Sequence, residues 1–402
     1  MAEINEIKDG IQDAAFVQWR KNLCRGTIAG ATGMGKSRIA VMAMEYIRKS
    51  VEPLSPRILI LVPTEELRDK NWPEEIRKWC KTDAEYEKVM LNVRMECYAS
   101  AHTVQGEQWD LVVLDEIHHM TDRVETLFHY NQIIAVLGLT ATPPNQKRDL
   151  VKYTLISQYA PVVFKYTLDQ GVDDGVVADF EIIVINEGLD NIKKNITGGT
   201  AKAPFLTTEA KQYEYLNNVC KRAMAMPQSP QKDNAVKFSI LKRSRFIYNL
   251  PSKTALAREL LKRLPEDQRI ITFCGGIEQS RELFGENVYN SKDKKLNKLE
   301  EFKKNLDMKR LGVVNAVDEG HNIPDMDIAI IVQTNSNDRT IVQRIGRVVR
   351  VREGHKALVF VLCAAGTQDE FWVKKALSEF DQSKIKHIHS RDIYTGSFFE
   401  NR

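Results

Sequence analysis

Apolar residues gather along this chain in short unbroken runs, separated by stretches in which they recur every three or four positions. Three runs lie in the first third: RILILVPT at 57–64, WDLVVLDE at 109–116 and IIAVLGLTAT at 133–142. A strand covered on both faces reads this way, whereas a strand with one wet face alternates. Between runs, Ile39, Val41, Met42, Met44 and Ile47 fall at helical spacing. Buried parallel strands alternating with amphipathic helices predict a doubly wound α/β fold. The rhythm breaks from about 166 to 250, where one strand candidate, FEIIVI at 180–185, precedes the Gly/Thr-rich ITGGTAKAP at 196–204 and a polar helical region ending in QSPQKDN at 228–234. It returns after PSKTALARELLKRL at 251, with strand candidates IITFCG at 270–275, GVVNAV at 312–317, IAIIVQT at 328–334 and ALVFVL at 357–362. The expected organisation is an α/β domain over 1–165, a linker with a helical insertion over 166–250, and a second α/β domain over 251–402 that ends in a short helical tail.

Composition adds limits. With 402 residues and 43% hydrophobic content the chain can fill two cores. A net charge of +4 is too small to attract a polyanion by itself, so nucleic-acid affinity would need a local basic surface. LKRSR at 241–245, with Lys237 nearby, is the densest basic stretch between the domains; it reads equally as such a contact or as a solvated helix face. Cys24, Cys80, Cys97, Cys220, Cys274 and Cys363 are scattered, with no C-x-x-C pair, and read as reduced core residues with no zinc site. The start, MAEINEIKDG, is polar and acidic where a signal peptide would be basic then apolar, and no apolar run reaches membrane-spanning length. A soluble, cytoplasmic protein is expected.

The chemistry begins at IAGATGMGKSRIA, Ile28 to Ala40. Gly30, Gly35, Lys36 and Ser37 stand as G-x-x-x-x-G-K-S after a short apolar run and before the helical pattern. Glycines let backbone N–H groups curl around phosphates, Lys36 reaches the β/γ oxygens and Ser37 ligates Mg²⁺. The helix start adds its dipole and unpaired N–H groups to the attraction for anions. LVVLDEIHHM supplies the second half: Asp115 and Glu116 end a hydrophobic strand, where an open α/β sheet places ligand-binding groups. Phosphoryl transfer needs a charge clamp and a placed nucleophile, and Asp115 on Mg²⁺ with Glu116 on the attacking water would provide both. No guanine-reading Asn-Lys-x-Asp occurs, which favours ATP.

In order along the chain, GATGMGKS, LDEIHH, GLTATPP and QRIGRVVR resemble motifs I, II, III and VI of a superfamily 2 helicase with a DExH box. LVPTEELRDKNW at 61–72, TFCGG at 272–276 and VDEGHNIP at 317–324 resemble motifs Ia, IV and V; Glu319 departs from many relatives toward restriction-enzyme motors. The nearest likenesses are phage branch-migration helicases of the UvsW type, the repair helicase XPB and restriction-enzyme motors, and NWPEEIRKW at 71–79 is similar to chromatin-remodelling motors. The resemblance implies two tandem RecA-like domains, parallel sheets flanked by helices, with ATP and Mg²⁺ as cofactors. It implies nucleotide contacts at Gln12, Gly33, Gly35, Lys36, Ser37, Arg38 and Gly320, with Gln12, which fits Q-x-x-A-x-x-x-W, ahead of Gln18 as the residue that reads adenine. Ser37 and Asp115 would hold the metal; Gln343, Arg347 and Arg350 join Lys36, Asp115 and Glu116 in catalysis, the last two arginines as fingers on the γ-phosphate. His118, Thr140 and Thr142 would couple nucleotide state to lobe motion, and Thr64, Ser100, Gly275 and Gly276 would contact a nucleic-acid backbone.

The implied activity is ATP-driven translocation or unwinding, on DNA ahead of RNA, by a monomer of phage origin with room for a targeting protein partner. An RNA helicase, a double-strand DNA translocase, and a nucleotide-gated clamp without turnover stay open as alternatives.

Overall fold

The computed structural model describes residues 2–400, save 32, 53, 147–148, 201, 291–297, 315–325, 335–343, 346–355 and 379. It forms two compact units, Met1–Ala178 and Asp179–Arg402.

In the first unit β1 (Arg25–Gly30), β2 (Ile58–Val62), β3 (Val93–Cys97), β4 (Gln108–Asp115), β5 (Gln132–Thr140) and β6 (Val162–Tyr166) form one sheet in the order β3-β2-β4-β5-β1-β6. Every pairing is parallel. Successive residues face opposite cores: Ile58, Ile60 and Val62 join Leu111 and Val113 on one side, and Leu59 and Leu61 join Val112 and Leu114 on the other. Both faces are dry, so the runs are unbroken. The sequence reading places no strand at β3 or β6; each is an edge strand, buried only in part, that mixes apolar with charged positions. Helix α1 (Ala2–Lys21) is pinned by Trp19, fully enclosed, whose indole Nε1 donates to Val136 O at 2.8 Å. Helix α2 (Lys36–Val51) buries the apolar stripe that its spacing predicted, including Ile39, Val41, Met44 and Ile47.

The second unit holds β7 (Phe180–Glu187), an antiparallel hairpin of β8 (Ile196–Thr200) and β9 (Ala203–Thr207), then β10 (Ile270–Cys274), β11 (Val288–Asn290), β12 (Arg310–Val314), β13 (Ile328–Ile331), β14 (Ala357–Ala364) and β15 (Ile385–His389). Apart from the hairpin they form a parallel sheet ordered β11-β12-β10-β13-β14-β7-β15. Helices α3 (Glu209–Ala225) and α4 (Pro230–Tyr248) pack on each other, and α5 (Pro251–Arg263) covers the sheet with Leu256, Ala257 and Leu260 against Ile183, Ile185, Phe360 and Leu362.

Two parts of this arrangement differ from the sequence reading. The stretch 166–250 is no separate linker: FEIIVI is β7, an interior strand of the second sheet, hydrogen-bonded to β14 and β15. Its β-pairing partners lie about two hundred residues downstream, which no local pattern records. The expected helical tail contains β15, the sheet's edge strand, in which Ile385 and Ile388 are half-buried and Lys386, His387 and His389 are exposed. No helix among the described residues is long and apolar enough to cross a membrane. All six cysteines are free, and burial pushes the thiols of Cys274 and Cys363 up to about 12, in keeping with inert core residues.

A buried ion pair ties the ends of this second sheet. Lys253 Nζ, on α5, lies 2.7 Å from Asp369 Oδ2 on the helix α6 (Gln368–Leu377), and both side chains are fully enclosed. Ala364 N, at the end of β14, donates to the same oxygen at 2.9 Å, while the Thr334 hydroxyl just beyond β13 donates to the other. Removing one partner strands a buried charge, so Asp369→Ala should cost about 3–5 kcal/mol in urea unfolding. Lys253→Met with Asp369→Leu should recover most of that loss; a single variant as stable as wild type would show that the pair does not hold these elements.

Candidate nucleotide-binding site

All strands of a parallel sheet end at one edge, and at that edge β1, β4 and β5 are neighbours, so the segments leaving them converge. After β1 the chain turns into α2 through Gly33 (φ +92°) and Gly35 (φ +86°), conformations that cost a glycine little. At Gly35 a Cβ would also stand 2.4 Å from Gln12 Nε2. No side chain caps the start of α2, so its first N–H groups suit an anion. Lys36 Nζ donates to Gly30 O at 3.0 Å, an acceptor that a phosphate oxygen can replace. Gln12 and Trp19 share the buried face of α1, and Gln12 Nε2 donates to Met34 O at 2.7 Å. Its Oε1 is buried with no hydrogen-bond partner. A buried acceptor left over beside a phosphate loop fits an adenine amino group. Arg38 lies over the Trp79 ring, 4.1 Å from its centroid, and 3.6 Å from Asp9.

Asp115 closes β4. Burial, then the neighbouring Glu116, push its carboxyl up to about 7, while a hydrogen bond from Trp72 and the charge of Lys36 pull the other way. Trp72 Nε1 donates to Asp115 Oδ2 at 2.8 Å, and the Tyr98 hydroxyl donates to Asp115 O at 2.9 Å. Glu116 adopts φ +48°, a strained conformation for a residue with a side chain and one that clusters at functional sites. Thr140, the last residue of β5, donates its hydroxyl to Glu116 Oε2 at 3.3 Å. The same oxygen of Thr140 is 3.0 Å from His118 Nδ1 and accepts from Thr142 N at 3.1 Å. His118 is 4% exposed, and Lys152 Nζ donates to its carbonyl at 2.7 Å. Glu116, His118, Thr140 and Thr142 therefore form one connected polar chain across two strand ends.

The donor set suits Mg²⁺. The Asp115 carboxylate and Ser37 hydroxyl are hard oxygen donors, and the ion commonly takes one or two carboxylates, waters and substrate phosphates. No cluster of three or more His, Cys, Asp or Glu that could hold a metal occurs among the described residues.

The remaining candidates divide. Thr64 follows β2 and is exposed, its Oγ1 accepting from Leu67 N at 3.3 Å. Ser100 follows β3 at the same edge, but its hydroxyl is engaged internally, 2.9 Å from Glu96 Oε2 and 3.0 Å from Cys97 O. Gly275 and Gly276 follow β10; the Gly275 N–H donates to Gln279 Oε1 at 2.8 Å, and a Cβ there would meet Tyr248 O at 2.5 Å. Close packing alone requires that glycine. Gly320, Gln343, Arg347 and Arg350 lie outside the described residues. Arg344, between the last three, is buried, with Nη1 donating to Gln333 O at 2.8 Å. Sequence reasoning missed Trp72 and Lys152 as site residues, since 43 and 34 positions separate them from the groups they hold.

Comparison with known proteins adds independent findings. A family model described as "Type III restriction enzyme, res subunit" matches residues 2–145, and "Helicase conserved C-terminal domain" matches 252–352. The DNA 3'-5' translocase XPB2 of Sulfurisphaera tokodaii is 26% identical over 384 residues, covering 90% of this chain and 83% of that protein. The chain spans about half the length of two further relatives, 55% of one from Halobacterium salinarum and 53% of one from Haloarcula marismortui. Among solved structures, the ATP-dependent Type ISP restriction-modification enzyme LlaBIII bound to DNA aligns with TM-score 0.59 at 16% identity, over 97% of this chain and 32% of that one. S. cerevisiae Dbp5 bound to RNA and ADP BeF3 aligns with TM-score 0.58 at 14% identity, over 99% of this chain and 96% of that one. These structural likenesses speak to the fold: two tandem RecA-like domains.

The Asp115 environment carries a pH signature. Its folded pKa of about 7 exceeds the ordinary 3.8, so between these values the folded chain holds a proton that the unfolded chain lacks. Stability from this group is present at low pH and is lost as pH rises through 7. In EDTA at pH 8, Asp115→Asn should melt higher than wild type by roughly 5 °C, and the gap should narrow at pH 5. Equal melting temperatures at pH 8 would refute the raised pKa.

Proposed function

The chain belongs to superfamily 2 of the helicases, and from that premise we propose that it is an ATP-dependent DNA translocase or helicase. One observation carries the reading: the Gly35–Lys36 phosphate loop, the Asp115 and Glu116 carboxylates and the His118–Thr140 contact all leave neighbouring strand ends of a single sheet. DNA is preferred because the relative matched over most of both chains is named for DNA translocation.

ATP would be held by the N–H groups of the loop and by Lys36, with Gln12 Oε1 accepting from the adenine amino group. Ser37 and Asp115 would hold Mg²⁺, which when bound supplies charge neutralisation at the β- and γ-phosphate oxygens. Glu116 orients the attacking water and takes its proton. Its present tie to Thr140 and His118 means that its orientation and the β5 end move together, a route by which nucleotide state reaches the DNA-binding surface. Arg347 and Arg350 would supply guanidinium charge to the γ-phosphate during turnover, and Gln343 is the third catalytic candidate of that stretch. Tracking a backbone calls for phosphate-directed, sequence-indifferent contacts; the exposed Thr64 is the best placed of the four candidates, whereas the Ser100 hydroxyl and Gly275 N–H would first have to leave their internal partners.

Steady-state ATPase assays with single-stranded DNA, double-stranded DNA and RNA test this directly. Stimulation is expected from DNA and not from RNA; stronger stimulation by RNA overturns the choice of polymer, and no hydrolysis with any polymer favours a passive clamp. Lys36→Ala should lower turnover by at least about a hundredfold with folding intact. Arg347→Ala should lower it by roughly 10³ or more while nucleotide still binds, and an unchanged turnover number would remove that residue from the mechanism.

A further inference from the structure

The segment NWPEEIRKW is not used by the chemistry above, yet it reaches the site. From Thr64 the chain runs through a π-helical turn, Leu67–Asn71, directly into the helix Trp72–Lys78, and π turns inside helices are frequent at functional sites. Trp72 is 3% exposed and sits in one core cluster with Leu67, Ile76 and Met44, so packing on several elements sets its ring. An indole has a single polar atom, a donor. Here that donor is spent on Asp115 Oδ2 at 2.8 Å. A bond to one oxygen fixes the rotation of the carboxylate plane and so the direction in which the group can offer itself to a cation.

We propose that Trp72 is a positioning residue for the metal step: its indole N–H holds the Asp115 carboxylate in the orientation that receives the divalent cation accompanying the nucleotide. This rests on the reading of Asp115 as a Mg²⁺ ligand. Trp72→Phe keeps an aromatic ring and loses the donor. Ile76 is fully buried in the same packing cluster and its side chain has no polar atom, which makes Ile76→Ala a control for packing damage.

The test is binding of N-methylanthraniloyl-ATP to the full chain, titrated in EDTA and in excess Mg²⁺. Wild type should bind more tightly with Mg²⁺. Trp72→Phe should bind as wild type in EDTA but lose about tenfold of the Mg²⁺-dependent gain, while Ile76→Ala lowers the melting temperature and keeps the gain. Should Trp72→Phe fail to fold, benzothienylalanine at position 72, which replaces the N–H by sulfur in a ring of the same shape, serves in its place. A full gain in the donor-less protein, or an equal loss in Ile76→Ala, overturns the proposal. Asp115→Ala separates the two levels: if it abolishes the gain while the Trp72 variant keeps it, only the positioning role fails, and if it keeps the gain, the ligand reading fails and the proposal with it.

Discussion

The first unit is organised around a carboxylate that the fold holds partly buried at a strand end. Asp115 ends a strand whose neighbours on both sides are parallel and whose faces are both covered by apolar side chains, so desolvation is the price of its position. Burial and the adjacent Glu116 favour the protonated form; the Trp72 N–H and the Lys36 charge favour the ionised one. A divalent cation at this carboxylate would tip that balance, and a group so poised would respond strongly to its arrival. The need to serve this one group explains why a tryptophan far along the sequence turns its ring nitrogen inward.

Around it the polar contacts form a series. Glu116 is strained into a left-handed conformation, and its oxygen meets Thr140, which also meets His118 and Thr142. Each group in the series is largely buried, so a change at one cannot be absorbed by water and must be passed to the next. This would be the physical content of coupling between Glu116, which would orient the attacking water, and the loop that leaves β5.

In the second unit the comparable constraint is structural. Lys253 and Asp369 are wholly enclosed and bind the ends of β13 and β14 through Thr334 and Ala364. Beyond Thr334 the chain enters the stretch with Gln343, Arg347 and Arg350, while Arg344 of the same stretch lies on the ring of Phe273, 4.7 Å from its centroid. Of three arginines in eight residues, one thus belongs to the core of its own unit.

The sequence by itself determined the strands that are dry on both faces and the loops that leave them. β2, β4, β5, β10, β13 and β14 were all legible as unbroken apolar runs, and Gly35 and Lys36 could be placed at a helix start and Asp115 and Glu116 at a strand end, because periodicity and spacing are local properties. Edge strands β3, β6 and β15 were not, since each is only partly buried and mixes apolar with charged positions. Only the tertiary structure decided that Phe180–Glu187 belongs inside the second sheet, that Ser100 and Gly275 are engaged within the fold, and that Trp72 and Lys152 reach Asp115 and His118. Each of these is a pairing between residues distant in sequence, set by which elements the packing brings together, and a linear pattern contains no term for that distance.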